Sequence, residues 1–152
     1  MNNKLPDKRA RARIEQDLDI NFMVEAGAGS GKTSCLVKRA LAQIVSGRLK
    51  VHELAVITFT RKAAAELRER FENQLEELYR SEQEETLRQR LEQALLNLDQ
   101  CYIGTIHAFC ARLLRERPVE AGLNPEFTEV DEMEEAIIQQ QAWTIYLNEI
   151  KL

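Results

Sequence analysis

The sequence contains no run of 18 apolar residues, so nothing in it predicts a membrane span. Residues 1–7 have none of the features of a signal peptide, and the chain shows neither internal repeats nor low-complexity segments. Cysteine is scarce, and the three residues have no metal-ligand spacing and lie in apolar segments: Cys35, Cys101 and Cys110. We therefore expect reduced core cysteines in a cytoplasmic protein.

The composition is that of a globular chain with an uneven charge distribution. Of its 152 residues, 44% are hydrophobic and 30% are charged, which suits one domain with a single core. Residues 1–70 hold 14 Lys or Arg against 8 Asp or Glu, whereas the remaining residues hold 7 against 17. Anionic ligands are expected to bind the first half, although two solvated surfaces of opposite charge explain the asymmetry equally well.

A glycine-rich segment lies between a predicted strand and a predicted helix. Residues 22–24 suit a buried strand, and residues 33–45 place Leu36, Val37, Ala40, Leu41 and Ile44 on one helical face. This context predicts a phosphate-binding loop, in which glycines let backbone N–H groups point at phosphate oxygens. The candidate nucleotide-binding residues are Ala26, Gly27, Ala28, Gly29, Ser30, Gly31, Lys32, Thr33 and Ser34.

Two of these residues are candidates for catalysis. We expect Lys32 to reach the β- and γ-phosphates, and the Thr33 hydroxyl to ligate Mg²⁺. Ala26 replaces the first glycine of the strict pattern. The alternative is a purely structural turn, but a lysine in the first turn opposes the helix dipole and three glycines cost backbone entropy, so we favour the anion site.

The rest of the chain alternates between strand and helix patterns. Strands are predicted at 54–59, as a run covered on both faces, and at 101–105; helices are predicted from Arg61, from a capping box at 81–84, and from 106 to Pro118. This alternation predicts a parallel sheet, with Gly27, Thr58 and Thr105 at one edge. A basic helix is predicted at 7–18, and we interpret its charges as a solvated face rather than as a nucleotide or nucleic-acid contact. A last helix is predicted to begin at residues 131–134.

Three blocks resemble superfamily 1 helicases of the UvrD/Rep kind, including the helicase–nuclease subunits of AddAB and RecBCD. They are residues 26–33, residues 57–70, which are similar to motif Ia, and residues 103–110, which are similar to the Thr-x-His motif Ib. The resemblance implies an α/β fold, namely a P-loop NTPase with a RecA-like parallel sheet flanked by helices. It also implies an ATP-binding part at 1–117 and the start of an inserted helical subdomain at 118–152.

The resemblance implies ATP and Mg²⁺ as cofactors, and single-stranded or duplex-end DNA as a partner. The residues matched to DNA contacts are Thr58, Phe59, Thr60, Arg61, Lys62, Thr105 and His107. An aromatic face accepts any base, while hydroxyls and cations suit phosphates. Taken without the resemblance, Phe59 would be a core aromatic and His107 a helix-start histidine bonded to the backbone.

Departures from the family pattern refine these expectations. No glutamine stands at 5–14 to read adenine, and Ser34 replaces the arginine that UvrD carries, which favours the helicase–nuclease branch. A second helicase–nuclease subunit is therefore a candidate partner. The sole candidate for the family's Asp–Glu pair is 127–132, but polar Thr128 and Glu129 break the apolar run expected of a central strand, so we interpret this segment as the entrance to the inserted helical subdomain. We expect an incomplete sheet with an edge open to self-association, and negligible ATP hydrolysis by this chain alone.

Two other functions stay open. A different phosphate-loop enzyme, such as a kinase, would use His107 and the acidic second half for its acceptor. A non-catalytic fragment would act through protein contacts of the charged helix at 81–98.

Overall fold

The structure, a computed structural model, describes residues 7–27 and 29–150; the predicted loop residue Ala28 lies outside them. The elements are α1 (Lys8–Gln16), α2 (Lys32–Val45), β1 (Ala55–Thr58), α3 (Arg61–Ser81), α4 (Glu85–Leu96), β2 (Tyr102–Thr105), α5 (Ile106–Glu116) and α6 (Glu132–Ile150). Short 3₁₀ turns at Val51–Glu53 and Leu98–Gln100 precede the two strands. Contacts group the chain into one unit that ends at Phe109 and a second that begins at Cys110.

Strands β1 and β2 form a parallel two-stranded sheet, connected through α3 and α4. Their register pairs Val56 with Ile103 and Thr58 with Thr105. Because both strands end at the same residue pair, the segments that follow them leave from one edge of the sheet. The prediction that Thr58 and Thr105 share an edge is confirmed.

The predicted strand at 22–24 is wrong. These residues have no regular structure, Met23 is 90% exposed, and the Phe22 ring lies beside two guanidinium groups, of Arg13 and Arg39, at 5.7 and 5.0 Å. A strand needs a neighbour to satisfy its backbone N–H and C=O groups, and an apolar run does not supply one. Gly27 therefore does not end a strand, and its predicted position at the edge of the sheet is not supported.

The core of the first unit lies between α2, α3, α4 and one face of the sheet. The helical periodicity of these segments explains the arrangement, since apolar side chains at spacings of three and four face the same side. The most deeply buried side chains are Phe71, Ile44, Leu75, Leu91 and Val37. Leu36, predicted to face the core, is 42% exposed. Ile57, in a run predicted to be covered on both faces, is 39% exposed because α2, α3 and α4 pack on the face that carries Val56 and Ile103.

The three cysteines differ in their surroundings. Cys35 and Cys101 are buried, whereas Cys110 is exposed, so the prediction of three core thiols is wrong for Cys110. Burial raises the pKa of the Cys101 thiol to about 11, because the thiolate would be poorly solvated there. The neighbouring Arg68 opposes this shift only in part.

Two helix starts differ in how well the sequence predicted them. The capping box expected at 81–84 does not form, since α3 continues through Ser81, whose hydroxyl donates to the Glu77 carbonyl at 2.9 Å. The predicted start at Asp131 is confirmed. Its carboxylate accepts from the amides of Met133 and Glu134, both at 2.9 Å, and the Glu134 carboxylate accepts from the Asp131 amide at 3.2 Å.

The second unit presents little apolar burial of its own. Helix α6 has apolar residues on every side, and all its side chains that the structure describes are exposed, including Trp143 at 60% and Met133 at 77%. Ahead of it, the Arg115 guanidinium lies 5.7 Å from the Phe127 ring and pairs with Glu129. Polar and apolar residues alternate around this helix, so it has no single apolar face to pack against a core.

Candidate nucleotide and nucleic-acid sites

The glycine-rich segment forms a turn that leads directly into α2. Ser30 donates its amide to the Gly27 carbonyl at 3.4 Å, and α2 begins at Lys32. Gly29 and Gly31 have φ of +73° and +87°, a left-handed conformation that side chains disfavour. Glycine is therefore required at both positions, and the first amides of α2 remain available to an anion.

Space and unsatisfied polarity both mark this turn as a place for a ligand. A Cβ added at Gly27 or Gly29 would meet no atom within 4 Å. The Ser30 hydroxyl oxygen is buried without a hydrogen-bond partner among the described residues. Since a buried hydroxyl without a partner is costly, a polar ligand at the turn would relieve it.

Lys32 folds back over the turn that precedes it. Its ammonium group donates to the carbonyls of Ala26 and Gly27 at 2.5 and 2.7 Å, and the side chain is otherwise exposed. Thr33 is exposed beside it and Ser34 is half-buried. The structure thus brings the described loop residues together at the start of α2, with a cation and three hydroxyls. Mg²⁺ often takes few protein ligands besides phosphates and water, so one threonine hydroxyl fits such an ion.

Sequence reasoning missed two arginines that hold the turn and the segment before it. Arg11 donates to the Ser30 carbonyl at 2.6 Å and to the Asp7 carboxylate at 2.9 and 2.7 Å. Its hydrogen bond lowers the pKa of Asp7 below the ordinary value. The spacing of Asp7 and Arg11, four residues apart in a predicted helix, was a signal for this pair.

Arg39, in the third turn of α2, fixes the chain between α1 and the loop. Its guanidinium donates to the carbonyls of Ile14 at 2.6 Å, Asp17 at 3.2 Å, Leu18 at 3.5 Å and Ile20 at 2.7 Å. These carbonyls belong to the end of α1 and the residues after it, which lack helical partners. No local sequence pattern predicts so long-range a contact.

The predicted DNA contacts lie at the ends of β1 and β2. The Thr60 hydroxyl caps α3 by accepting from the Ala63 amide at 3.1 Å, and the Thr105 hydroxyl accepts from the Ala108 amide of α5 at 3.3 Å. Because Thr58 and Thr105 are paired, these two helices begin side by side. A capping hydroxyl still has its proton to donate, so the edge presents hydroxyl and amide donors together.

The remaining residues of this edge are open to solvent. Phe59 is 88% exposed, so the alternative of a core aromatic is wrong. Arg61, Lys62 and His107 are also exposed, next to the two helix starts. An exposed phenyl ring beside cations and helix N-termini is chemically suited to a base and its phosphates.

The chain thus combines a glycine-rich loop before a helix, a parallel sheet, and a sheet edge with donors and an exposed ring. A family model described as the UvrD/REP helicase N-terminal domain matches residues 7–151, and the chain belongs to this family. The expected family is therefore confirmed, and the α/β class is confirmed in its coarse form, with two parallel strands and helices.

Three curated relatives of this chain share the name of the A subunit of an ATP-dependent helicase/nuclease. The protein from Desulforudis audaxviator is 42% identical over 131 residues, which cover 85% of this chain and 10% of the relative. That from Heliobacterium modesticaldum is 41% identical over 138 residues, covering 90% and 9%, and that from Ligilactobacillus salivarius is 38% identical over 136 residues, covering 88% and 11%. The chain therefore spans about a tenth of the length of these relatives.

Two kinds of feature are absent from the part of the chain that the structure describes. Across 7–27 and 29–150, no helix is long and apolar enough to cross a membrane. No group of three or more His, Cys, Asp or Glu side chains in the same ranges is placed to hold a metal ion.

Proposed function

We propose that this chain is the N-terminal part of an ATP-dependent DNA helicase–nuclease, and that it binds ATP and contacts single-stranded DNA. The observation that carries the proposal is the pairing of Thr58 with Thr105, which brings the two predicted DNA segments to one edge. The exposed Phe59 ring at that edge suits a nucleic-acid base better than the small acceptor of a kinase. Family membership and the names of the relatives support the same function.

In this proposal the nucleotide phosphates bind at residues 26–34. The amides at the start of α2 bind phosphate oxygens, Lys32 leaves the carbonyls of Ala26 and Gly27 to bind the terminal phosphates, and Thr33 ligates Mg²⁺. The space beside Gly27 and Gly29 and the orphaned Ser30 hydroxyl support this assignment. Bound ATP would supply the phosphoryl group whose transfer to water drives a motor, and Mg²⁺ would neutralise the charge on the phosphates.

DNA binds in this proposal across the ends of β1 and β2. Phe59 stacks on a base, the hydroxyls of Thr58, Thr60 and Thr105 and the helix N-termini bind phosphates, and Arg61, Lys62 and His107 add donors or charge. The stacking tolerates any sequence, as a translocating protein requires. We further propose a RecA-like fold, an ATP-binding part at 1–117, and a helical subdomain that starts at 118–152.

The setting of the protein is also proposed. The name of the relatives distinguishes one subunit by a letter, which supports a second helicase–nuclease subunit in the role of partner. An open edge of the two-stranded sheet would also allow self-association. We expect a cytoplasmic enzyme that unwinds and degrades DNA. The isolated chain should hydrolyse ATP negligibly, since hydrolysis depends on positioned charges beyond the loop's lysine and threonine.

A titration with labelled oligo-dT at several salt concentrations, with and without a non-hydrolysable ATP analogue, tests the proposal. Phe59→Ala should weaken binding by about 5- to 150-fold, the equivalent of stacking on one base, without changing the salt slope. Lys62→Ala should instead lower that slope by about 0.7. Trp143→Ala, which removes an exposed aromatic from α6, is the matched control and should leave affinity unchanged.

The outcomes separate the candidate functions. Binding that weakens equally in Phe59→Ala and Trp143→Ala would contradict the DNA site. Transfer of labelled γ-phosphate to a small acceptor would favour a kinase. If well-folded protein bound neither oligonucleotide nor nucleotide, a fragment that acts only through protein contacts would replace our proposal.

A further inference from the structure

Arg11 attaches the phosphate loop to helix α1 through the loop's main chain. One guanidinium nitrogen donates to the Ser30 carbonyl at 2.6 Å, and the other is 3.5 Å from the Cys35 sulfur. The Asp7 carboxylate holds the same guanidinium at 2.7 Å, and the contact is partly buried. Because α1 has no buried side chain, its hold on the loop depends on these polar contacts rather than on apolar packing.

The contact fixes the orientation of a peptide group that matters for anion binding. The Ser30 carbonyl and the Gly31 amide belong to one planar trans peptide, so they point in opposite directions. Holding the carbonyl towards α1 therefore turns the Gly31 amide to the side away from α1. That amide directly precedes α2 and has no backbone acceptor among the described residues.

The Arg11 guanidinium also lies directly against Gly31. Its φ of +87° is one that glycine adopts readily, and a Cβ at this position would lie 3.2 Å from the Arg11 guanidinium. The guanidinium thus packs against the glycine as well as bonding to the carbonyl before it. The buried Ser30 hydroxyl, which has no partner in the described part of the chain, belongs to the residue that supplies this carbonyl.

We propose that Arg11, oriented by Asp7, is a positioning residue for nucleotide binding, which acts by locking the Ser30–Gly31 peptide so that the Gly31 amide faces the phosphates. The inference rests on the proposed function of residues 26–34. It requires no contact between Arg11 and the nucleotide. Without the guanidinium the peptide can rotate, and one amide–phosphate hydrogen bond is lost or weakened.

The test combines amide NMR spectra with nucleotide titrations of the whole chain. Arg11→Met keeps the aliphatic stem and removes the donors, while Arg9→Met makes the same charge change on an exposed residue of the same helix. In nucleotide-free protein, the Gly31 amide resonance should shift in Arg11→Met and stay in place in Arg9→Met. Binding of a fluorescent ATP analogue with Mg²⁺ should weaken by about tenfold to a hundredfold in Arg11→Met only.

A second variant covers the case in which Arg11→Met does not fold. Asp7→Ala removes only an exposed carboxylate and leaves Arg11 in place, so the same Gly31 shift and a smaller loss of affinity, about threefold, are expected. A Gly31 resonance and an affinity that are unchanged in both variants would overturn the inference while the proposed function stands. Lost affinity without a Gly31 shift would also overturn it, since Arg11 would then contact the nucleotide directly. If the unsubstituted chain did not bind the ATP analogue, both the proposed function and this inference would be contradicted.

Discussion

Gly104 lies where the second strand has no room for a side chain, which makes Gly104→Ala a sharp test of the fold at the predicted DNA edge. An added Cβ would lie 2.6 Å from the Tyr102 hydroxyl oxygen and 2.8 Å from the ring carbon that bears it. The Tyr102 ring must therefore move, and Tyr102 then loses two contacts. Its hydroxyl donates to the Thr105 carbonyl at 2.9 Å, and its ring lies 5.1 Å from that of Phe109.

The magnitude follows from these two losses. The hydrogen bond contributes about 1 kcal/mol and the aromatic pair about 0.5–1.5 kcal/mol. Alanine recovers about 0.5–1 kcal/mol because it restricts the unfolded chain more than glycine does. The net expectation is a fall of about 1 kcal/mol in the free energy of unfolding, which lowers the melting temperature by about 2–4 °C.

Urea unfolding followed by circular dichroism measures this change. Gly27→Ala is the matched control, because a Cβ there meets no atom within 4 Å, and the same restriction of the unfolded chain should make it about 0.5–1 kcal/mol more stable than the unsubstituted chain. If Gly104→Ala were no less stable than Gly27→Ala, the placement of the Tyr102 ring over Gly104 would be refuted.

Three further predictions concern single side chains. Arg39→Met should lower the free energy of unfolding by about 2 kcal/mol in urea titrations, because backbone carbonyls lose a charged donor, whereas the exposed Arg70→Met should change it little. With a thiol reagent at pH 8, Cys110 should react at once and the two buried thiols only after unfolding; three fast thiols would contradict this. In carboxyl NMR titrations the lowered pKa of Asp7 should rise towards its ordinary value in Arg11→Met, and an unchanged pKa would disprove the pairing.

The sequence predicted those elements in which periodicity and burial agree. Helix α2, helix α3 and strands β1 and β2 form where apolar spacing indicated them, and the pairing of Thr58 with Thr105 follows from the parallel arrangement. Periodicity could not reveal that residues 22–24 lack a neighbouring strand, since hydrogen-bond partners are a property of the whole sheet. The partial exposure of Ile57 could not be predicted for the same reason.

Capping patterns show a similar limit. Both Ser81–Glu84 and Asp131–Glu134 have residues that can cap a helix, yet only the second pair does so. At Ser81 the preceding helix continues, because packing along α3 holds its last turn and the hydroxyl bonds backwards. Tertiary packing thus decided between two local options.

The sequence predicted the part of the candidate site that depends on backbone conformation. Glycines, a lysine and a threonine at fixed spacing predicted the loop before α2, and the positive φ of Gly29 and Gly31 accords with it. The hydrogen bonds of Arg11 and Arg39 to the main chain could not be predicted, because a guanidinium that binds carbonyls some 20 residues away produces no regular spacing in the sequence. Basic residues in α1 therefore looked like a solvated face, as Arg9 is.

The measurement that most directly tests the central claim is calorimetric titration of the chain with a non-hydrolysable ATP analogue and Mg²⁺. The matched variants are Lys32→Ala, which removes the loop's cation, and Lys38→Ala, which makes the same charge change further along α2, where the lysine pairs with Glu15 at 3.5 Å. We predict that the triphosphate binds more tightly than the monophosphate, that Lys32→Ala weakens binding at least about tenfold, and that Lys38→Ala leaves it within about twofold. Equal affinity of Lys32→Ala and the unsubstituted chain would contradict the assignment of residues 26–34 as the phosphate site.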